Sequence, residues 1–330
     1  MRYILVYNSD MKKSLKWFGL VLVLVVAVTV VLNRQWIDDY MRGFGYEPEG
    51  EMGRIMKDLG LTGRGEFLFK AARPELSSQE EFNEICRSVL DEEIAVLGCY
   101  ADDNIYVYNI ESVELDGIRE LTTAHELLHV VWARMNEGER SALSDVLKQT
   151  LEKERDVLGE ELEVYDAEQR QEELFVRAGT EVADLPAELE KIYGGIFSDQ
   201  DKVVGFYNKY IGVFRAMEAE MDELASQMQG IQAQIDNLSG EYERRVDSLN
   251  AEIDSFNACA ETAGCFGSES EFYAQRAVLV GEQAALEEMY NQINGLVDQY
   301  NELVEKYNAD VTRTEKLNRV MNSNSRPEDI

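Results

Sequence analysis

Polar positions almost vanish from one stretch near the start of the chain. Trp17 to Leu32 reads WFGLVLVLVVAVTVVL, relieved only by Thr29. Trp17 and Trp36 bracket about 28 Å of helix at roughly 1.5 Å per residue, close to the hydrocarbon thickness of a bilayer. Lys16 and Arg34 can carry their charges outward at the two ends. The pattern predicts a transmembrane signal anchor over 17–36, after an N-terminal segment of residues 1–16. Residues 37–63 then read as a juxtamembrane connector rich in Gly, Asp and Glu. Farther on, IAVLGCY (94–100) and NIYVYNI (104–110) are rich in β-branched and aromatic residues, and Ala101-Asp102-Asp103 separates them. They predict a β-hairpin. Ile118 to Met135 contains no Pro or Gly, and Leu121, Ala124, Leu128 and Val131 recur at helical spacing. More helical segments follow, with a break at Leu185-Pro186.

Beyond residue 200 the period changes. Tyr210, Phe214, Met217, Met221, Leu224, Met228, Ile231, Ile235, Leu238 and Tyr242 alternate steps of four and three, a sustained heptad repeat. The step from Tyr242 to Val246 adds a second consecutive four, a stutter that locally unwinds a supercoil. A second run reads Leu286, Tyr290, Ile293, Val297, Tyr300, Val304, Tyr307 and Val311. Between them lies NACAETAGCFGSESE (257–271), the tip of an antiparallel helical hairpin. The periodicities thus predict an α+β, predominantly α chain. A small domain over 64–200 carries the short β-hairpin, a long antiparallel coiled-coil hairpin occupies 201–318, and 319–330 is a polar tail.

Charge refines the picture. Asp and Glu number 64 against 32 Lys and Arg, a net charge of -32. That balance argues against a nucleic-acid partner, which needs a basic footprint. Arg2, Lys12, Lys13 and Lys16 precede the apolar run, whereas Arg34 and Arg42 after it are offset by Asp38 and Asp39. The bias predicts a single-pass protein of the cell membrane, N-terminus cytoplasmic and the folded part extracytoplasmic. No polar segment or A-x-A-like site marks a cleavable signal peptide. The four cysteines fall into two local pairs, Cys86/Cys99 and Cys259/Cys265, which suit disulfides in an exported domain.

The chain has two histidines, and both lie in His125-Glu126-Leu127-Leu128-His129. On a helix, residues four apart share a face, so the two imidazoles point the same way. Two neutral imidazoles make half of a tetrahedral zinc site, and the intervening Glu126 is placed to take a proton from activated water. A third protein ligand is required. Histidine is excluded and oxidised cysteine is unsuited, so a carboxylate remains, with Glu172, Glu173 and Glu181 as the downstream candidates.

H-E-x-x-H followed by a glutamate on a later helix resembles the gluzincin metallopeptidases. Glu173-Leu174-Phe175-Val176-Arg177-Ala178 is similar to the E-[FL]-F-x-x-A helix that supplies the third ligand in several of them. The resemblance covers roughly residues 90–215. It implies a zincin-like catalytic domain that binds Zn2+ through His125, His129 and Glu173. It also implies hydrolysis of peptide or protein substrates by zinc-activated water, with Glu126 as general base. Many gluzincins place an acidic residue four positions after the ligand glutamate, where it steadies a histidine. Arg177 stands there in this chain, so that role would pass to Glu172, Glu181 or Asp184. With no spare histidine, Tyr193 and Tyr207 are the candidates for an oxyanion donor. NIYVYNI is expected to be the edge strand that pairs with an extended peptide. The helical hairpin would hold a protein partner or self-associate. The competing expectation is a surface tether that works through the hairpin, with a structural or vestigial zinc site.

Overall fold

The computed structural model describes residues 9–86, 96–159, 162 and 167–323. The chain forms two compact units, Met1–Val213 with Arg319–Ile330, and Phe214–Asn318. It is predominantly helical, with one small sheet and one long pair of helices.

In the first unit the apolar run lies in α1 (Ser9–Leu32), and α2 (Arg34–Gly43) follows directly. The span expected over 17–36 is therefore broken at Asn33. Among the described residues no single helix is long and apolar enough to cross a membrane. Leu20–Leu32 and Arg34–Gly43 meet that test only together, and they are bent by 69°. Residues 37–63, expected as a connector, are built into the core. There α3 (Gly50–Asp58) contributes Met52 and Ile55, and Leu59 follows at helical spacing. Next, α4 (Gly63–Ala72) adds Leu68, Phe69 and Ala72.

Strand β1 (Glu75–Ser77) precedes α5 (Gln79–Ile85), and the expected hairpin is β2 (Gly98–Ala101) with β3 (Asn104–Tyr108). Asp102 and Asp103 turn between them with φ of 50° and 61°, the positive values that a two-residue hairpin turn demands. The sheet order is β1-β3-β2, with β1 parallel and β2 antiparallel to β3. This corrects the expected edge. NIYVYNI is the central strand, with Ile105 and Val107 alternating into the core. The strand that displaces it from the edge is β1, whose three residues are too few to register as a period. A Cys86–Cys99 disulfide joins the end of α5 to β2. The start of the first expected strand lies outside the described residues.

The helical layer consists of α6 (Ile118–Ala133), α7 (Glu137–Lys153), α8 (Arg155–Leu158), α9 (Ala167–Glu181) and α10 (Ala187–Tyr193). At its centre Trp132 packs on Phe175, and Phe175 on Tyr193, with ring centroids 5.2 and 5.1 Å apart. Gly179 lets α6 and α9 approach closely. A Cβ there would lie 2.5 Å from Leu128 Cδ1 and 2.7 Å from the Tyr193 ring. A buried ion pair fastens α2 to the end of α6, with Arg134 Nη2 2.7 Å from Asp39 Oδ1. Arg134 also donates to Tyr100 Oη at 2.6 Å.

The second unit contains most of α11 (Gln200–Ala260) and α12 (Glu269–Met321). On α11 the expected heptad positions from Met217 to Phe256 are buried or half-buried, as predicted. On α12 the seam is rotated in its first part. Leu286, Ile293, Tyr300, Val304, Tyr307 and Val311 keep their places, but Met289, Leu296 and Leu303 also turn inward, and Tyr290 and Val297 are exposed. Both stripes share every seventh residue, so the pattern alone could not choose between them. At the tip, Cys259–Cys265 closes a small loop over Phe256, Phe266 and Phe272. The expected tail is ordered where it begins. Gln79 and Asn83 donate to the carbonyl of buried Ser323, within the first unit.

Removing Asp39 leaves Arg134 buried with reduced compensation. Asp39→Ala is expected to lower unfolding free energy by about 3–5 kcal/mol, and Arg134→Met in the same chain to recover part of it. Denaturant titration followed by the emission of buried Trp132 measures both.

Candidate metal centre

Two helices build the centre. His125 and His129 lie one turn apart on α6, with ring centroids 5.1 Å apart. Packing of α6 on α9 brings Glu173 across from them. Glu173 Oε1 is 3.5 Å from His125 Nε2, and its Oε2 is 3.5 Å from His129 Nε2. All three can offer a ligand atom within 4.8 Å of the others. Four ligands at about 2.0–2.1 Å from zinc, arranged tetrahedrally, stand roughly 3.3–3.4 Å apart. The two His–Glu separations are close to that spacing, although each is made by a different oxygen of Glu173. Two imidazoles and one carboxylate also suit zinc chemically.

A neighbouring carboxylate of α9, Glu172, orients the His129 imidazole. His129 Nδ1 is 2.8 Å from Glu172 Oε1. With the proton on Nδ1 donated to Glu172, Nε2 keeps its lone pair for the shared position. Adjacent residues on a helix diverge by about 100°, so Glu173 can face both rings while Glu172 reaches round His129. Of the candidates for this steadying role, Glu172 fills it. Glu181 is held by Arg177 through Nε–Oε1 and Nη2–Oε2 contacts of 2.8 and 3.0 Å. Asp184 pairs with Lys153.

Burial sets the electrostatics. Burial raises Glu126 to about 7, with Glu173 and Glu172 adding to the rise against the charge of His129. Burial lowers His125 to about 4 against the pull of Glu173. His129 is also buried, but its hydrogen bonds to Glu172 and Glu173 and the charge of Glu126 overcome that and raise it to about 10. Burial would raise Glu173, yet the charges of His125 and Arg177 and the bond to His129 hold it near 2. Metal-free and near neutral pH, His129 therefore holds its second ring proton, and Glu126 sits near its midpoint.

Glycine makes room for Glu126. A Cβ on Gly98 would meet Glu126 Oε1 at 2.6 Å and Thr122 Cγ2 at 2.7 Å. Strand β2 thus passes directly over Glu126. A glycine inside a β-rich run signals such a close approach, and so does Gly179 inside a helical pattern. Neither was given that weight from sequence. Of the two tyrosines, Tyr193 is not brought to the cluster. It is fully buried, and its hydroxyl donates to Phe175 O at 2.6 Å, tying α10 to α9. Tyr207 is half-buried in the first turns of α11. No protein-family model matches the chain, and neither a curated protein nor a solved structure matches it.

Metal analysis of the purified chain should find one zinc, lost in His129→Ala and Glu173→Ala and kept in Glu126→Gln. Glu172→Gln should weaken binding by about 10–100-fold without abolishing it. Because metal must displace the His129 proton, affinity should fall about tenfold per unit of pH below its value of about 10. Competition with a chromophoric chelator at several pH values tests the slope.

Proposed function

We propose that the chain is a membrane-anchored zinc metallopeptidase with an extracytoplasmic catalytic domain. One observation carries the reading. The Glu173 carboxylate faces Nε2 of both histidines at 3.5 Å, and Glu126 is buried beside them. Zinc held by His125, His129 and Glu173 supplies Lewis acidity, which polarises a carbonyl and acidifies water. Glu126 moves the proton, taking it from the attacking water and passing it to the departing amine. Without metal, burial raises the Glu126 carboxyl to about 7; a bound cation would pull it down, toward the carboxylate that accepts a proton. Glu172 keeps the His129 ring fixed while this happens.

Substrate placement follows from the sheet. Among the described residues no strand pairs with the outer edge of β2, and Gly98 of that strand lies against Glu126. An extended peptide added to this edge would run past the base. Tyr193 is committed elsewhere, which leaves Tyr207 as the tyrosine to test for oxyanion stabilisation. Two features support the location. The described apolar side chains of α1, from Phe18 to Leu32, are exposed, an apolar surface that water does not favour. Two disulfides fit an oxidising compartment. The helix pair of the second unit would offer a surface to a protein partner.

Glu126→Gln should retain zinc and lose peptide hydrolysis by about 10²–10⁴-fold. A peptide library read by mass spectrometry, beside metal analysis of the same samples, measures both. Stoichiometric zinc with no cleavage by the wild-type chain would favour a tether whose metal is structural.

A further inference from the structure

Helix α2 is amphipathic inside out. At about 100° per residue, Trp36, Tyr40, Phe44 and Met41 fall within an arc of roughly 140°. Gln35, Asp39 and Arg42 lie on the other side. In a helix that packs on a core, the apolar arc turns inward. Here the polar arc does. Asp39 pairs with Arg134 and accepts from Gln35, while Arg42 donates to the carbonyls of Ala71 and Asp103. The apolar arc faces outward, with Trp36 59%, Tyr40 48%, Met41 67% and Phe44 73% exposed. One edge of the arc touches the fold, where Trp36 stacks on Phe67 of α4 at 6.2 Å and 18°, and outside that contact its rings are continuous. Trp36 stacks on Tyr40 at 5.6 Å and 19°, and Tyr40 lies 6.2 Å from Phe44.

The neighbouring helix says what covers this arc. Only Asn33 separates α2 from the exposed apolar α1, and the two meet at a bend of 69°. Arg34, Asp38, Asp39 and Arg42 make α2 unsuited to continue into hydrocarbon. A sharp bend after an apolar helix lays the next helix along the bilayer surface. Trp and Tyr are the residues that favour that layer.

We propose that α2 is an interfacial helix whose aromatic arc seats in the headgroup layer of a lipid bilayer. This rests on the reading of α1 as a membrane anchor and adds a second, independent contact. Because Asp39 holds Arg134 at the end of α6, the H-E-x-x-H helix is fastened to the membrane surface through α2. Peptide segments close to that surface are then the substrates in reach.

The test uses the full chain carrying Trp17→Phe, reconstituted in phosphatidylcholine vesicles. The lipid acyl chains carry bromine either near the headgroup or near the bilayer centre. Trp132 is buried and serves as the unquenched reference. Shallow bromine should remove the Trp36 emission more than deep bromine does, and Trp36→Phe in the same background should abolish the quenched component. A chain that floats with the vesicles while Trp36 stays open to aqueous iodide overturns the proposal and leaves the anchor intact. Shielding of Trp36 from iodide and bromine alike also overturns it, because a second copy or another protein then covers the arc. A chain that fails to float removes the anchor and the proposal together.

Discussion

The Glu173 carboxylate lies at 9% exposure between two imidazoles, and the layout of α6 and α9 follows from keeping it there. A buried ionised carboxylate is tolerable only where positive charge or hydrogen-bond donors meet it. His125, His129 and Arg177 supply these here. Their positions demand that two helices pack close and in one rotation. Gly179 permits the closeness, and the Trp132–Phe175–Tyr193 stack fixes the rotation. Tyr193 is therefore part of the scaffold. Its hydroxyl satisfies the Phe175 carbonyl, two residues beyond Glu173 on the same helix.

The same economy governs Arg177. Where a carboxylate four residues past Glu173 would have added negative charge, the guanidinium offsets it and is itself held by Glu181. The orienting bond to His129 then comes from Glu172, next to Glu173 in sequence. One helix thus provides both the carboxylate that faces the two rings and the one that steadies His129.

At the other end of α6, Arg134 links three elements through Asp39, Tyr100 and Asp103. An ion pair buried this far is specific before it is stabilising, because desolvation consumes much of its Coulomb energy. It sets which side of α2 faces the fold, and so turns the aromatic arc outward. In the second unit the deciding contact is apolar. The face of α12 that buries Met289 and Leu303 leaves Tyr290 and Val297 in solvent.

Local periodicity determined much by itself: the helix of the two histidines, the hairpin of β2 and β3, the stripe on α11 and both cysteine pairings. Each depends on spacings of a few residues, where backbone geometry fixes what faces what. H-E-x-x-H is legible for that reason, since one turn of helix aligns both rings. For the third candidate ligand the residues alone left three glutamates, because a chain with 64 acidic residues offers carboxylates on every helix, and the resemblance to the gluzincins singled out Glu173. Which of them meets the rings depends on how α9 is rotated against α6. The central place of β3 depends on a three-residue strand too short to show a pattern. The commitment of Tyr193 and the inversion of α2 depend on partners, Phe175 and Arg134, that sequence distance hides. Sequence fixes faces along one element, and only packing between elements decides which face meets which.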